Sequence, residues 1–278
     1  METPIDPEQQ PVPEKPVELT PAEIEKRQDD LLEKKVKRRS FIAFGTFTAM
    51  TAVTYGSWRW LLTSPPEVPG ITAGAHKPLR RALNQTELFF RRVFSNNHLV
   101  KTYPKEMAAK NVRVNSDVGL QSKFDPQSWV LQVTKQSGEI LKITLNDLLA
   151  LPKTEIIYDF KCVEGWDQIS HWGGVKFSDF VAHYGLEKES QLQYVGLQTP
   201  DKQYYVGIDM PSAMHPQTML AYEVNEKLLP PEHGAPLRLI IPVKYGIKNL
   251  KRIGSISFSD QRPKDYWAEL GYDYYSGL

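Results

Sequence analysis

Cysteine is almost absent from this 278-residue chain, and Cys162 is its only one. A single thiol cannot close an internal disulfide, so any core rests on packing alone. It also rules out a zinc centre built from several cysteines at ligand spacing. Charge of one sign is lacking too. The 34 Lys and Arg face 33 Asp and Glu, for a net +1, which leaves no global field drawing the chain to nucleic acid. No internal repeat and no regular βαβ rhythm appears, which argues for a mixed α+β domain over a doubly wound sheet.

What is present falls into zones. Residues 1–40 form a charged N-terminal segment whose first twenty residues, METPIDPEQQPVPEKPVELT, are proline-rich and acidic. They have almost nothing to bury and read as disordered. Thr20, Pro21 and Glu23 then give a helix-start signal, with helix predicted to about Lys37 and a thin apolar stripe of Ile24, Leu31, Leu32 and Val36. The basic cluster KKVKRR (34–39) precedes FIAFGTFTAMTAVTYGSW (41–58), 18 residues without charge. That reaches the lower end of a membrane-spanning helix, with Trp58 and Trp60 as an interfacial girdle. The expectation is a transmembrane helix or export signal over 41–62, with residues 1–40 cytoplasmic and the remainder in the periplasm, held at the cytoplasmic membrane. Arg38-Arg39-Ser40-Phe41-Ile42 also resembles a twin-arginine export signal. Ala73-Gly74-Ala75 has the form of a cleavage site but lies far beyond the apolar run, so an uncleaved anchor is preferred.

Residues 63–84 read as a Pro/Gly linker and 85–278 as the globular domain. Within that domain the spacing predicts short strands. WVLQVTK (129–135) and EILKITL (139–145) form a hairpin, and Thr144 with Asp147 caps a short helix. EIIYDFK (155–161) is a strand leading to Cys162, and Ser178 caps a helix that Gly185 stops. QLQYVGLQ (191–198) and KQYYVGID (202–209) form a second hairpin, LRLIIPV (237–243) reads as a central strand, and IGSISFS (253–259) as half-buried.

Cys162 ends its strand at a polar, Gly-containing turn, VEGWDQ, the kind of place where sites are built. Taken alone, three readings are open: a buried inert thiol, a nucleophile activated by His171, His183, His215 or His233, or one soft ligand to a metal completed by a cofactor. A second stretch, PEHGAPLRLIIPVKYGIKNLKRI (231–253), sets Arg238, Lys244, Lys248, Lys251 and Arg252 among glycines and apolar residues. It reads either as solvated strand-edge charge or as a cradle for a phosphate or other anion.

Together DFKCVEGW (159–166), HWGGVKFSDF (171–180), YVGLQTPD (194–201) and HGAPLRLIIPVKYGIKNLKRI (233–253) resemble the molybdopterin-binding domain of the sulfite oxidase superfamily. The branch most similar holds the bacterial periplasmic methionine-sulfoxide reductase catalytic subunits. The resemblance covers roughly residues 110–278, and it implies a sulfite-oxidase-type fold carrying a molybdenum–molybdopterin cofactor. It implies that Cys162 ligates molybdenum, with Glu164 beside it as the second candidate catalytic residue. Thr199, Arg238, Asn249, Leu250 and Lys251 match cofactor-contacting positions. His233 stands where the reductase branch has asparagine, and Asn97 and His98 fall where the front contacts belong. Where sulfite oxidases follow their cysteine with basic residues, this chain has acidic and aromatic ones, Val163 to Asp167. Glu164 and Asp167 are expected to repel a sulfite dianion, favouring a neutral or cationic oxygen-atom donor such as a sulfoxide or N-oxide. No haem or iron–sulfur motif is encoded, which points to a separate membrane electron-transfer partner such as a b-type cytochrome. The rival readings are a non-catalytic binding or assembly protein and a sulfite-oxidase-like oxidase.

Overall fold

The computed structural model describes residues 20–65, 76–93, 98–122, 124–126 and 128–278. The readings of disorder before Thr20, of Ala73-Gly74-Ala75 and of Asn97 lie outside them. The chain divides into two compact units, one ending at Thr63 and one beginning at Ser64.

The first unit is one helix, α1 (Pro21–Thr63). It opens where the cap signal puts it, the Glu23 carboxylate accepting the Thr20 N–H at 2.9 Å and the Thr20 hydroxyl at 2.8 Å. It continues past Lys37 without a break, and none of its residues is buried. No helix among the described residues is long and apolar enough to cross a membrane, which corrects the expected span at 41–62. Thr46, Thr48, Thr51, Thr54 and Ser57 dilute its apolar side chains. The first three hydroxyls turn back to donate to the carbonyls of Ile42, Phe44 and Phe47.

The second unit starts with helix α2 (Lys77–Val93), which runs into the stretch read as a linker. Strands β1 (Leu131–Thr134), β2 (Ile140–Ile143), β3 (Thr154–Lys161), β4 (Asp167–Lys176) and β5 (Tyr194–Gln198) follow. Then come β6 (Tyr205–Asp209), β7 (Met219–Val224), β8 (Lys227–Leu228), β9 (Arg238–Ile240) and β10 (Ser255–Ser259). Short helices α3 (Leu145–Leu149), α4 (Phe177–His183), α5 (Met210–Ala213) and α6 (Tyr266–Glu269) intervene. One sheet has the order β2-β1-β10-β5-β6; in the other, β3-β4-β7-β8, β9 joins the free part of β7. Both predicted hairpins form, antiparallel, as β1–β2 and β5–β6. Thr144 and Asp147 make a full capping box on α3. α4 begins one residue before Ser178, with Lys176 as its cap, so Ser178 sits inside the first turn.

The second sheet is covered on both faces. Along β7, Leu220 and Tyr222 join the large core that also holds Leu131, Val195 and Ile256, while Met219 and Ala221 join a smaller one with Trp172 and Ile240. Period-two alternation therefore divides β7 between two cores and produces an almost continuous apolar sequence. LRLIIPV is buried as expected but supplies only three strand residues. Beyond Ile240 the backbone leaves the ladder, the Ile241 N–H donating to the Asn249 side chain at 2.8 Å.

Two buried ion pairs pin this segment: Lys244 to Asp209 at 2.9 Å and Lys248 to Asp265 at 2.5 Å. Breaking one by removing the cation leaves a buried carboxylate uncompensated. Lys248→Met should therefore cost about 3–5 kcal/mol and lower the urea midpoint. Adding Asp265→Asn should recover part of the loss, because the amide keeps an acceptor for the Ala268 N–H without the charge. A single variant as stable as wild type would show the pair to be dispensable.

Candidate functional site

The β3–β4 hairpin closes through Cys162–Trp166. The Cys162 N–H donates to the Trp166 carbonyl at 2.9 Å and the Gly165 N–H to the Cys162 carbonyl at 3.1 Å. Gly165 turns at φ +85°, a conformation that favours glycine. The thiol is 5% exposed and faces a cavity of about 220 Å³ whose walls include Phe160, Trp166, Trp172, Arg238, Asn249 and Lys251. Glu164 lines it as well, its carboxylate accepting the Trp166 indole N–H at 2.9 Å.

Burial pushes the Cys162 thiol above its ordinary pKa, and the Glu164 charge adds to the shift. A thiol in that state is protonated near neutrality and is no ready nucleophile. No histidine lines the cavity, and the polar side-chain group recorded on the sulfur is the Asn115 amide, donating at 3.6 Å. The Cys–His reading therefore has no base here. Among the described residues no three His, Cys, Asp or Glu side chains cluster as a metal cage. A metal at Cys162 would have to arrive with its other ligands.

Of the five cations of 231–253, Arg252 is buried away from the cavity, donating to the carbonyls of Ala235 and Leu120, and the other four sort into two kinds. Lys244 and Lys248 are neutralised by the buried aspartates above. Arg238 has no carboxylate partner among the described residues: its guanidinium donates to the carbonyls of His233 at 3.2 Å and Asn249 at 3.4 Å. It lies 4.4 Å over the Trp172 ring. Its Nε is buried without a partner, and burial lowers its pKa to about 10. Lys251 donates to the carbonyls of Asn115, Ser116 and Glu232 at 2.7, 2.9 and 3.0 Å. Burial first, and then Arg238, lower its pKa to about 8. One buried cation with an idle donor and one half-buried cation, beside a soft thiol, suit an anionic, sulfur-bearing cofactor. Gly234 lets the chain pass this close. Its φ is +93°, and a Cβ there would stand 2.6 Å from the Lys251 Cβ.

Thr199, His233, Leu250 and His98 do not line this cavity. The Thr199 hydroxyl is engaged in its own turn, donating to Asp201 at 2.6 Å and accepting the Tyr204 N–H at 3.1 Å. His233 packs edge-on against Trp172, centroids 6.0 Å apart. Burial, then Arg238 and Lys251, lower its pKa to about 4, so it is neutral at pH 7. Leu250 is core, its N–H and carbonyl already bonded to Lys248 and Leu239. His98 is exposed and offers its carbonyl to the His215 ring. Sequence reasoning missed Arg113, Asn115, Trp267 and Tyr272, all of which line the cavity. Arg113 stacks 4.6 Å over the Trp166 ring, while Asp167 lies outside the lining. The rim is thus mixed in charge, which corrects the acidic surroundings expected from VEGWD.

The family model described as the oxidoreductase molybdopterin binding domain matches residues 118–267, more than half of the chain. A candidate protein-methionine-sulfoxide reductase subunit of Azospira oryzae is 34% identical over 187 residues, which is 66% of this chain and 70% of that one. The protein-methionine-sulfoxide reductase catalytic subunit of Campylobacter jejuni is 34% identical over 178 residues, 58% of this chain and 60% of that one. The Xanthomonas campestris catalytic subunit is 32% identical over 155 residues, 51% of this chain and 48% of its own length. The chain thus spans between about half and seven tenths of the length of these relatives. Among solved structures, the sulfane dehydrogenase SoxCD of Paracoccus pantotrophus aligns at TM-score 0.46 and 21% identity, over 60% of this chain and 46% of that one. The chain belongs to the oxidoreductases built on a molybdopterin-binding domain.

Proposed function

We propose that this oxidoreductase reduces a sulfoxide- or N-oxide-type substrate, with a methionine sulfoxide group as the leading class. The carrying observation is one cavity that joins the lone thiol of Cys162 to the buried Arg238 and the half-buried Lys251, two cations without carboxylate partners among the described residues. The substrate class is supported by the names of the Azospira and Campylobacter relatives. Cys162 would hold the metal, and Arg238, Lys251 and Asn249 the anionic pterin. When bound, the molybdenum–molybdopterin group supplies two-electron oxygen-atom exchange.

The chain's own contribution is positional. Cys162 gives up its proton on ligation, which makes loading pH-dependent. The Asn115 amide orients the sulfur, and Lys251, by gripping the Asn115 carbonyl, holds that loop in place. Phe160 and Trp166, stacked with centroids 6.0 Å apart, give an apolar wall that excludes water. Glu164, tied to the Trp166 indole, places one carboxylate at the wall without freeing it to swing. Export through Arg38-Arg39 would deliver the domain to the outer face of the cytoplasmic membrane, where a separate membrane subunit, a b-type cytochrome in this reading, would supply electrons. Helix α1 over 41–62 then serves as the apolar part of the signal.

Metal and pterin analysis of protein made with its export route intact tests the proposal. Wild type should carry molybdenum and pterin and oxidise a reduced dye with methyl sulfoxides. Arg238→Ala should lower cofactor retention about tenfold or more. Full occupancy after dialysis would place the cradle elsewhere, and turnover of sulfite in preference to sulfoxide would favour the oxidase.

Lys251 gives a pH signature. Its pKa is about 8 folded against an ordinary 10.5, so between those values the unfolded chain binds the proton more tightly. The stability of cofactor-free protein should therefore rise with pH across that window, and Lys251→Met should flatten the rise. In loaded protein the bound anion holds the Lys251 proton more tightly and moves its titration up from about 8, so cofactor release should accelerate only once the pH passes that raised value. Thermal melts and release rates across pH 7–10 check both.

A further inference from the structure

Helix α2 carries an apolar stripe that its own unit leaves half uncovered. Leu79, Leu83, Phe90 and Val93 recur at helical spacing and are 49%, 42%, 45% and 57% exposed. The helix is seated on the C-terminal segment: Arg80 is buried and donates to the Ala268 carbonyl at 2.9 Å, and Phe90 stacks on Tyr275 at 5.7 Å. That seat fixes α2 without covering its stripe. In sequence the helix holds five basic residues against one acidic, Glu87, within a chain whose net charge is +1. A surplus of four positive charges in 17 residues is local, and Lys77 and Arg81 are both exposed.

We propose that α2 is an interfacial helix that docks the oxidoreductase domain on a bilayer surface rich in anionic lipid. Leu79, Leu83 and Val93 enter the headgroup boundary while the exposed Lys77 and Arg81 meet the lipid phosphates. An apolar stripe with Lys and Arg on the opposite, polar face is the composition such helices use, and binding of this kind responds to both lipid charge and salt. A protein partner would need an apolar groove rimmed by acidic residues, whereas an anionic bilayer offers an apolar medium and phosphates along its whole surface. The seat also has a consequence for the enzyme. Trp267 and Tyr272, which flank Ala268, line the Cys162 cavity, so the docked helix is coupled through one short segment to the site. The inference rests on the reading of the chain as a membrane-facing enzyme.

Hydrogen exchange on the full chain tests it, read in peptides from residues 79–93. With phosphatidylglycerol vesicles at low salt these amides should exchange about tenfold more slowly than in buffer. The protection should vanish with phosphatidylcholine vesicles or at high salt, and Leu83→Glu should remove it while leaving molybdenum content unchanged. Exchange that ignores the vesicles would overturn the proposal. So would protection already complete in buffer, which would mean that another part of the chain or a second copy covers the stripe. Should Leu83→Glu unwind α2, the lipid and salt comparisons on wild type decide alone. Loss of molybdenum from wild type would instead count against the cofactor reading and leave the lipid comparison standing.

Discussion

A guanidinium buried without a carboxylate is the constraint around which the catalytic unit is arranged. Removing such a charge from water costs several kcal/mol after relaxation, and Arg238 recovers part of that from two carbonyls and the face of Trp172. Each of these partners has its own support. Trp172 belongs to β4, at the centre of a sheet packed on both faces. The Asn249 carbonyl is fixed because the Asn249 side chain takes the Ile241 N–H. The His233 carbonyl is fixed by the turn that ends at Gly234. The fold thus keeps one buried guanidinium without a carboxylate among the described residues, while neighbouring Lys244 and Lys248 are paired with aspartates and serve stability.

Cys162 depends on the same frame. Its hairpin belongs to the sheet that contributes Trp172, and Phe160 of β3 approaches Gly246, where a Cβ would stand 2.9 Å from the ring. The thiol wall and the cation wall therefore meet across a close contact. Lys251 closes the arrangement from the other side by gripping the carbonyls of Asn115 and Ser116, and Asn115 is the residue whose amide reaches the sulfur. One thiol, one amide on its sulfur and two cations come from four separate segments of chain.

Much of this was legible in the sequence because it rests on local rules. The T-x-x-D box at Thr144, the two hairpins and the strand running into Cys162 all follow from capping, turn chemistry and alternation. So does the special character of HGAPLR and GIKNLK, where glycines stand beside cations. What stayed hidden depends on tertiary placement. Arg113 and Asn115 lie in a segment without periodicity, and nothing in NVRVNSD shows that Lys251 will capture it. LRLIIPV has the composition of a central strand, yet its backbone departs after three residues to meet Asn249. The stretch 41–58 lacks charge, but its threonines keep it below the apolarity of a membrane span. The acidic look of VEGWD was misleading because Arg113, distant in sequence, stacks on Trp166 and shares the rim.

Molybdenum K-edge absorption on protein made with its export route intact tests the central claim most directly, that Cys162 is the chain's own ligand to the metal. The account predicts a sulfur shell that loses one scatterer when Cys162 is replaced by serine, in protein that still holds its pterin. A sulfur shell identical in wild type and Cys162→Ser would contradict it.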